Sequence, residues 1–316
     1  MRSARAGDEH RSKRIRSARG SGRMMKQTDA ERTGRERMTM AKTDTEGADM
    51  GQTTWNVDRK RALAAFDAYT AQYDRTDEKI KLKVDHTYRV AALCERIGRS
   101  AGLSGQELDL AWLIGLLHDV GRFEQLRRYG TFVDAQSIDH AQFGADILFR
   151  DGEIAKYLPQ DTPGEVLELI ETAVRNHSLY RIAADMEERT RTYCHILRDA
   201  DKIDIMRVNV DVPLEAIYNT TTQALKTSEI SEAVLQSFSE EHATLRSLKK
   251  TPVDYVAGHI SLVFELVYPV SVRIVGEQGY LEKLLDFESD NERTREQFAW
   301  MRKRVHAYME RRAAER

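Results

Sequence analysis

From Trp55 onward, apolar residues return every three or four positions, the spacing that lays them along one face of an α-helix. Leu63, Phe66, Tyr69 and Tyr73 share such a face behind Asn56, a candidate N-cap. A second helix is predicted over 83–100, stopping near Gly102. Ser104-Gly-Gln-Glu107 has the form of a capping box, in which the Ser and Glu side chains bond the free first-turn amides. It precedes 108–117, a run apolar on almost every side, which predicts the central buried helix. His118-Asp119-Val120-Gly121 follows, with Gly121 placed to stop that helix. Residues 129–138 read as a loop, and Asp139 as the cap of a helix bearing Phe143, Ile147 and Leu148. Thr162-Pro163, a cap followed by a first-turn proline, predicts a helix running to about His177. Another is predicted over 187–208, broken by Asp211-Val212-Pro213. Three further long helices are predicted over 229–248, 253–275 and 290–313. Neither an internal repeat nor a strand pattern emerges, so the expected fold class is all-α.

The first fifty residues do not share this pattern. They hold 13 Lys/Arg against 8 Asp/Glu, a net of +5, and leave the remainder at 36 against 43, or −7. Almost without aliphatic residues, such a segment cannot bury enough surface to offset its ordering entropy. The expected division is therefore a disordered basic extension over 1–54, a core over 55–228, and a C-terminal helical extension over 229–316. The extension is read as a solvated tail, or as translation begun upstream of a later start such as Met24, Met25, Met38, Met40 or Met50. The C-terminal helices either cover the core or form a homodimer surface.

A formal net charge of −2 argues against general nucleic-acid binding. The longest apolar stretches, such as 260–267, are too short to span a bilayer, so no membrane partner is expected. The basic N-terminus lacks the apolar region of a secretory signal. Cys94 and Cys194 are isolated and form no CxxC pair, which makes a reducing cytoplasm the simpler location.

Four of the nine histidines, His86, His118, His140 and His177, fall at predicted helix ends or on inward faces. Asp119 and Asp201 join them. Imidazole with carboxylate is a ligand set for Mn, Fe, Co, Ni or Zn. It is not that of a cysteine-rich structural zinc site. Adjacent residues on a helix diverge by about 100°, so His118 and Asp119 can serve two metals, or one metal from a loosened helix end. The plainer account is that His118 closes a helix whose dipole favours it there. Yet an ionised Asp119 at the end of so apolar a helix needs a buried partner, and a metal is a good one. His195, in Tyr193-Cys194-His195-Ile196, has only a core context and is read as structural.

The order His86, His118-Asp119, Asp201 resembles the H…HD…D signature of the HD-domain metal-dependent phosphohydrolases. Leu116-Leu117-His118-Asp119-Val120-Gly121-Arg122 and Ala200-Asp201-Lys202-Ile203-Asp204 are similar to that family's motifs, and the likeness extends over about 80–210. The resemblance implies an all-helical HD-domain bundle with the metal at its centre, to which the residue pattern adds the C-terminal helices. It implies His86, His118, Asp119 and Asp201 as the ligands of one metal, with His140 and His177 in the order of the extra histidines of two-metal members. Asp119 and Asp201 would be the catalytic carboxylates. One or two divalent transition-metal ions are the expected cofactor, with Mg also admitted.

The activity so implied is hydrolysis of a phosphate ester or anhydride by metal-activated water. The substrate would be a small phosphorylated compound, with nucleotides among the candidates. Its charge calls for cations, and Arg122 and Lys202, each next to a motif, are the expected substrate-binding residues. Arg127, Arg128 and Arg175 are weaker candidates. Asp204, one turn after Asp201, is placed to orient a histidine or a water, or to pair with Lys202. The stretch 122–132, mixing Arg with Tyr129 and Phe132, suggests one wall of the pocket or a lid. Two other readings remain: an HD-fold di-iron oxygenase, which uses the same four histidines and two aspartates, and a non-catalytic ligand-binding module, whose signature would be a broken motif, while no ligand is missing here.

Overall fold

The computed structural model describes residues 55–315; the expectations for 1–54 fall outside them. The described residues are helical, with no strand among them. In chain order the helices are α1 (Arg59–Thr70), α2 (Glu78–Ser100), α3 (Gly105–Leu117), α4 (Val120–Tyr129), α5 (His140–Ala145), α6 (Ile154–Tyr157), α7 (Gly164–Asn176) and α8 (Glu188–Asp211). There follow α9 (Leu214–Tyr218), α10 (Thr222–Thr227), α11 (Glu232–Ser239), α12 (Pro252–Ile260), α13 (Pro269–Gln278), α14 (Tyr280–Leu285) and α15 (Glu292–Ala313).

The centre is α3, as its composition predicts. Leu110, Leu113, Ile114, Leu116 and Leu117 are all buried, whichever side of the helix they occupy. It packs against α2 and α8, while α7 lies against α3, α5 and α8. The later helices α12, α13 and α14 cover other parts of α8, and α15 closes over α11 and α13. No helix among the described residues is long and apolar enough to cross a membrane.

Several boundaries differ from expectation for identifiable reasons. Asp58, not Asn56, caps α1, its carboxylate accepting from the amides of Lys60 and Arg61. Asp77 starts α2 more than a turn earlier than predicted. Ser104 is the N-cap of α3, but the capping box does not form. The Glu107 carboxylate instead takes Arg189 Nη2 at 3.0 Å and the Tyr193 hydroxyl, tying α3 to α8. Pro163 is itself the N-cap of α7, one position earlier than a first-turn proline. The helix predicted over 253–275 is broken in two. Pro269 has no amide to continue a helix, and the amides of Val267 and Tyr268 just before it donate to Asp199, each at 3.0 Å.

Gly121 does not stop α3. The break falls at Asp119 (φ −107°, ψ 16°), and Gly121 lies inside the first turn of α4. Its small size serves close approach instead: a Cβ there would collide with the His140 carbonyl and stand 2.7 Å from the Gly144 amide nitrogen. The α4–α5 crossing therefore excludes any side chain at 121.

Candidate metal centre

His118 and His177 are the residues at which α3 and α7 end. The last carbonyls of a helix have no amide partner, and each ring turns back to supply one. Nδ1 of His118 lies 2.7 Å from the Gly115 carbonyl, and Nδ1 of His177 lies 2.7 Å from that of Val174. His86, within α2, sets its Nδ1 2.6 Å from the Asp204 carboxylate on α8. His140, the first residue of α5, sets its Nδ1 2.7 Å from Asp134, in the 131–139 loop. Carbonyls and carboxylates only accept, so each Nδ1 carries the ring proton. A neutral ring held this way has a bare Nε2.

The four Nε2 atoms point at one another. His86 and His118 bring theirs to 3.4 Å, and His140 and His177 to 3.0 Å. Asp119 lies between the pairs. Its Oδ2 is 3.5 Å from both His86 and His118 Nε2, and its Oδ1 is 3.6 Å from His140 and 3.7 Å from His177. The helix break at Asp119 permits this, because it turns the carboxylate out of the α3 face. Asp201 on α8 completes the first group, its Oδ1 3.2 Å from His86 Nε2 and 3.8 Å from His118 Nε2. All six residues predicted as ligands are thus assembled, in two groups that share Asp119.

The donor set fits divalent cations. Ligands about 2.0–2.2 Å from a common ion stand roughly 3–3.5 Å apart at tetrahedral or octahedral angles, close to the 3.0–3.8 Å observed here. Bare lone pairs held this close repel unless a cation lies between them. Burial pushes the His177 imidazolium down to about 3, helped by His140 and His118, so this ring is neutral at physiological pH. Burial also opposes charge on Asp119, yet Lys83 and then Arg122 hold its carboxyl well below the usual range. Asp119 is therefore ionised and the His177 Nε2 available, the states a metal requires.

The surrounding residues divide. Arg122 stands beside the cluster with Nε 3.7 Å from Asp119 Oδ1, but its Nη1 is engaged by the Phe132 carbonyl at 2.6 Å and Asp134 at 2.8 Å. Lys202 donates to the Arg198 carbonyl at 3.3 Å, and burial pushes its ammonium down to about 8. Arg127 and Arg128 pair with Glu124, and Arg175 with Asp146 and Glu171, so these three are occupied as structural ion pairs. Phe132 lies near the centre, with Lys83 and Arg122 over its ring, whereas Tyr129 is exposed at the end of α4. Asp204 orients His86 and is gripped by Arg89 through two bonds of 2.6 and 2.9 Å.

Sequence reasoning missed Lys83, whose Nζ is 2.7 Å from Asp119 Oδ2. The available signal was position, since Lys83 lies three residues before His86 and so on the same face of α2. Asp134 and Gln125 were also missed. Gln125 donates to Asp134, to the Ser137 hydroxyl and to the Ile138 carbonyl, which fixes the loop that aims His140.

Residues 84–206 match the family model of the HD domain. The all-α fold and this histidine–aspartate centre agree with that match, and this stretch of the chain is an HD domain. The match spans every predicted ligand. No curated protein and no solved structure matches the chain.

Proposed function

We propose that this chain is a metal-dependent phosphohydrolase that cleaves a phosphate ester or anhydride. The observation carrying the reading is the convergence of four bare Nε2 atoms on the two oxygens of one buried carboxylate. A pair of divalent cations in such a setting supplies Lewis acidity for a phosphoryl oxygen and acidifies a water. The protein's part is orientation and charge. Gly115, Val174, Asp204 and Asp134 lock the four rings. Lys83 and Arg122, both within reach of Asp119, add positive charge suited to a phosphoryl group. Asp119 and Asp201 are the carboxylates at the reacting centre, and Lys202 lies next to Asp201 in sequence.

The test is anaerobic. Protein stripped of metal and reloaded with Mn or Co should release phosphate from at least one member of a panel of nucleotides and small phosphomonoesters, without oxygen. Activity seen only with iron, together with stoichiometric O2 uptake, would replace the hydrolase reading with the oxygenase one.

A further inference from the structure

A cavity of about 630 Å³ lies between the 131–139 loop and the C-terminal helices. One end is walled by Arg122, Phe132 and Asp134, residues that also brace the metal cluster. The cavity is lined as well by Arg246, Lys249 and Lys250 with the rings of Tyr218, Tyr255 and His259, all outside the matched HD segment.

The charge on this wall is one-sided. Four cations face a single carboxylate, Asp134, which is already engaged by Arg122, Gln125 and His140. Among the described residues no carboxylate lies within 4.0 Å of the Arg246, Lys249 or Lys250 side-chain nitrogens. Lys249 is the informative one. It is half-buried, it makes no side-chain hydrogen bond among the described residues, and its Nζ stands 5.5 Å over the Tyr255 ring. A nearby acid, Asp254, is committed to Ser231 Oγ at 2.6 Å, Ser231 N at 2.8 Å, Lys250 N at 2.7 Å and Thr251 N at 3.0 Å. Gly258 makes room for the ammonium, since a Cβ there would overlap Lys249 Cε and Nζ. Burial, and then Arg246, pushes the ammonium down to about 8. On the same wall the Thr244 hydroxyl is buried without a hydrogen-bond partner. A half-buried cation without a counter-ion is costly unless an anion joins it.

We infer that this cavity binds a phosphate group distinct from the one presented to the metal cluster, held by Lys249 and Arg246. The inference rests on the phosphohydrolase reading. With it, the geometry selects substrates carrying two separated phosphoryl groups, one at the metal centre and one beyond Phe132. Tyr255 offers a ring face beside the second group.

The experiment is a calorimetric titration of the full chain, stripped of metal, with pyrophosphate. One equivalent should bind, and Lys249→Met should weaken it at least about tenfold, the loss of one charge-assisted contact. Gly258→Ala keeps every charge but evicts the ammonium, and should weaken binding similarly while the melting temperature stays close to the parent's. No binding by the parent chain, or equal binding by both variants, overturns the site. A second arm identifies the source of the phosphate. With metal restored, Lys249→Met should raise the ratio of KM for adenosine 3′,5′-bisphosphate to KM for p-nitrophenyl phosphate about tenfold. An unchanged ratio with Lys249-dependent binding intact assigns the cavity to a separate phosphate and overturns the bisphosphate-substrate assignment. Lys249-dependent binding with no turnover of any ester defeats the hydrolase reading and leaves the site standing.

Discussion

Asp119 differs from the other residues of the cluster in facing both histidine pairs, one with each oxygen, while Asp201 faces only His86 and His118. Replacing them should therefore have unequal effects. Asp119→Ala removes the shared ligand and leaves Lys83 without its partner at 2.7 Å; it should lose most bound metal. Asp201→Ala should lower the stoichiometry but keep more, because His140 and His177 with Asp119 remain. Elemental analysis of the purified variants is the check. Full occupancy in Asp119→Ala would refute the shared-ligand arrangement. At this scale the HD dipeptide was legible because the residue types and their order carry the chemistry. Lys83 was not, since a lysine on a helix face is usually solvated and only the fold turns this one onto Asp119.

Two contacts decide how the elements sit. The α4–α5 crossing has no space for a Cβ at position 121, where the neighbours are backbone atoms that cannot rotate away. Gly121→Ala should thus cost about 1–3 kcal/mol as an overpacked site, and should move His140 away from Asp119. We expect a lower melting temperature together with reduced metal content; retention of both would show that the crossing tolerates a methyl group. The second contact is Glu107, which joins α3 to Arg189 and Tyr193 on α8. Burial would raise its pKa, but Arg189 and Tyr193 hold it below the ordinary value. A carboxylate lowered in the folded state stabilises above its unfolded pKa, about 4.3, and loses that contribution as pH falls through the lowered folded value. Glu107 is partly exposed, so solvent screening limits the effect to about 1 kcal/mol. Glu107→Gln should lower the melting temperature by about 2–4 °C at pH 7, and the gap should close in acid. A gap independent of pH would place the effect in packing rather than charge.

Across the whole molecule, the cluster gathers side chains from α2, the α3–α4 junction, α5, the end of α7 and α8. Unfolding separates these segments, so a cation bound by the cluster stabilises the folded chain by mass action. At a metal concentration about a hundredfold above Kd this amounts to about 2.7 kcal/mol, or a rise of about 5–10 °C in melting temperature. Chelation should lower the transition by that much, and added Mn or Co should restore it. An unchanged transition would mean that the cluster does not hold metal in the folded state.

The helical class, the central apolar α3 and the six histidines and aspartates that come together follow from sequence alone. Periodicity records which faces are buried, and the order of His and Asp residues records metal chemistry. Several features needed the tertiary structure. Glu107 abandons the capping box because Arg189 and Tyr193, more than eighty residues away, offer more than a local amide. The helix predicted over 253–275 breaks where Pro269 meets the distant acceptor Asp199. The division of these six residues into two groups sharing Asp119, and the cavity where Lys249 stands without a counter-ion, belong wholly to the packing. Distances between side chains remote in sequence depend on how helices cross, and helix periodicity carries no record of that.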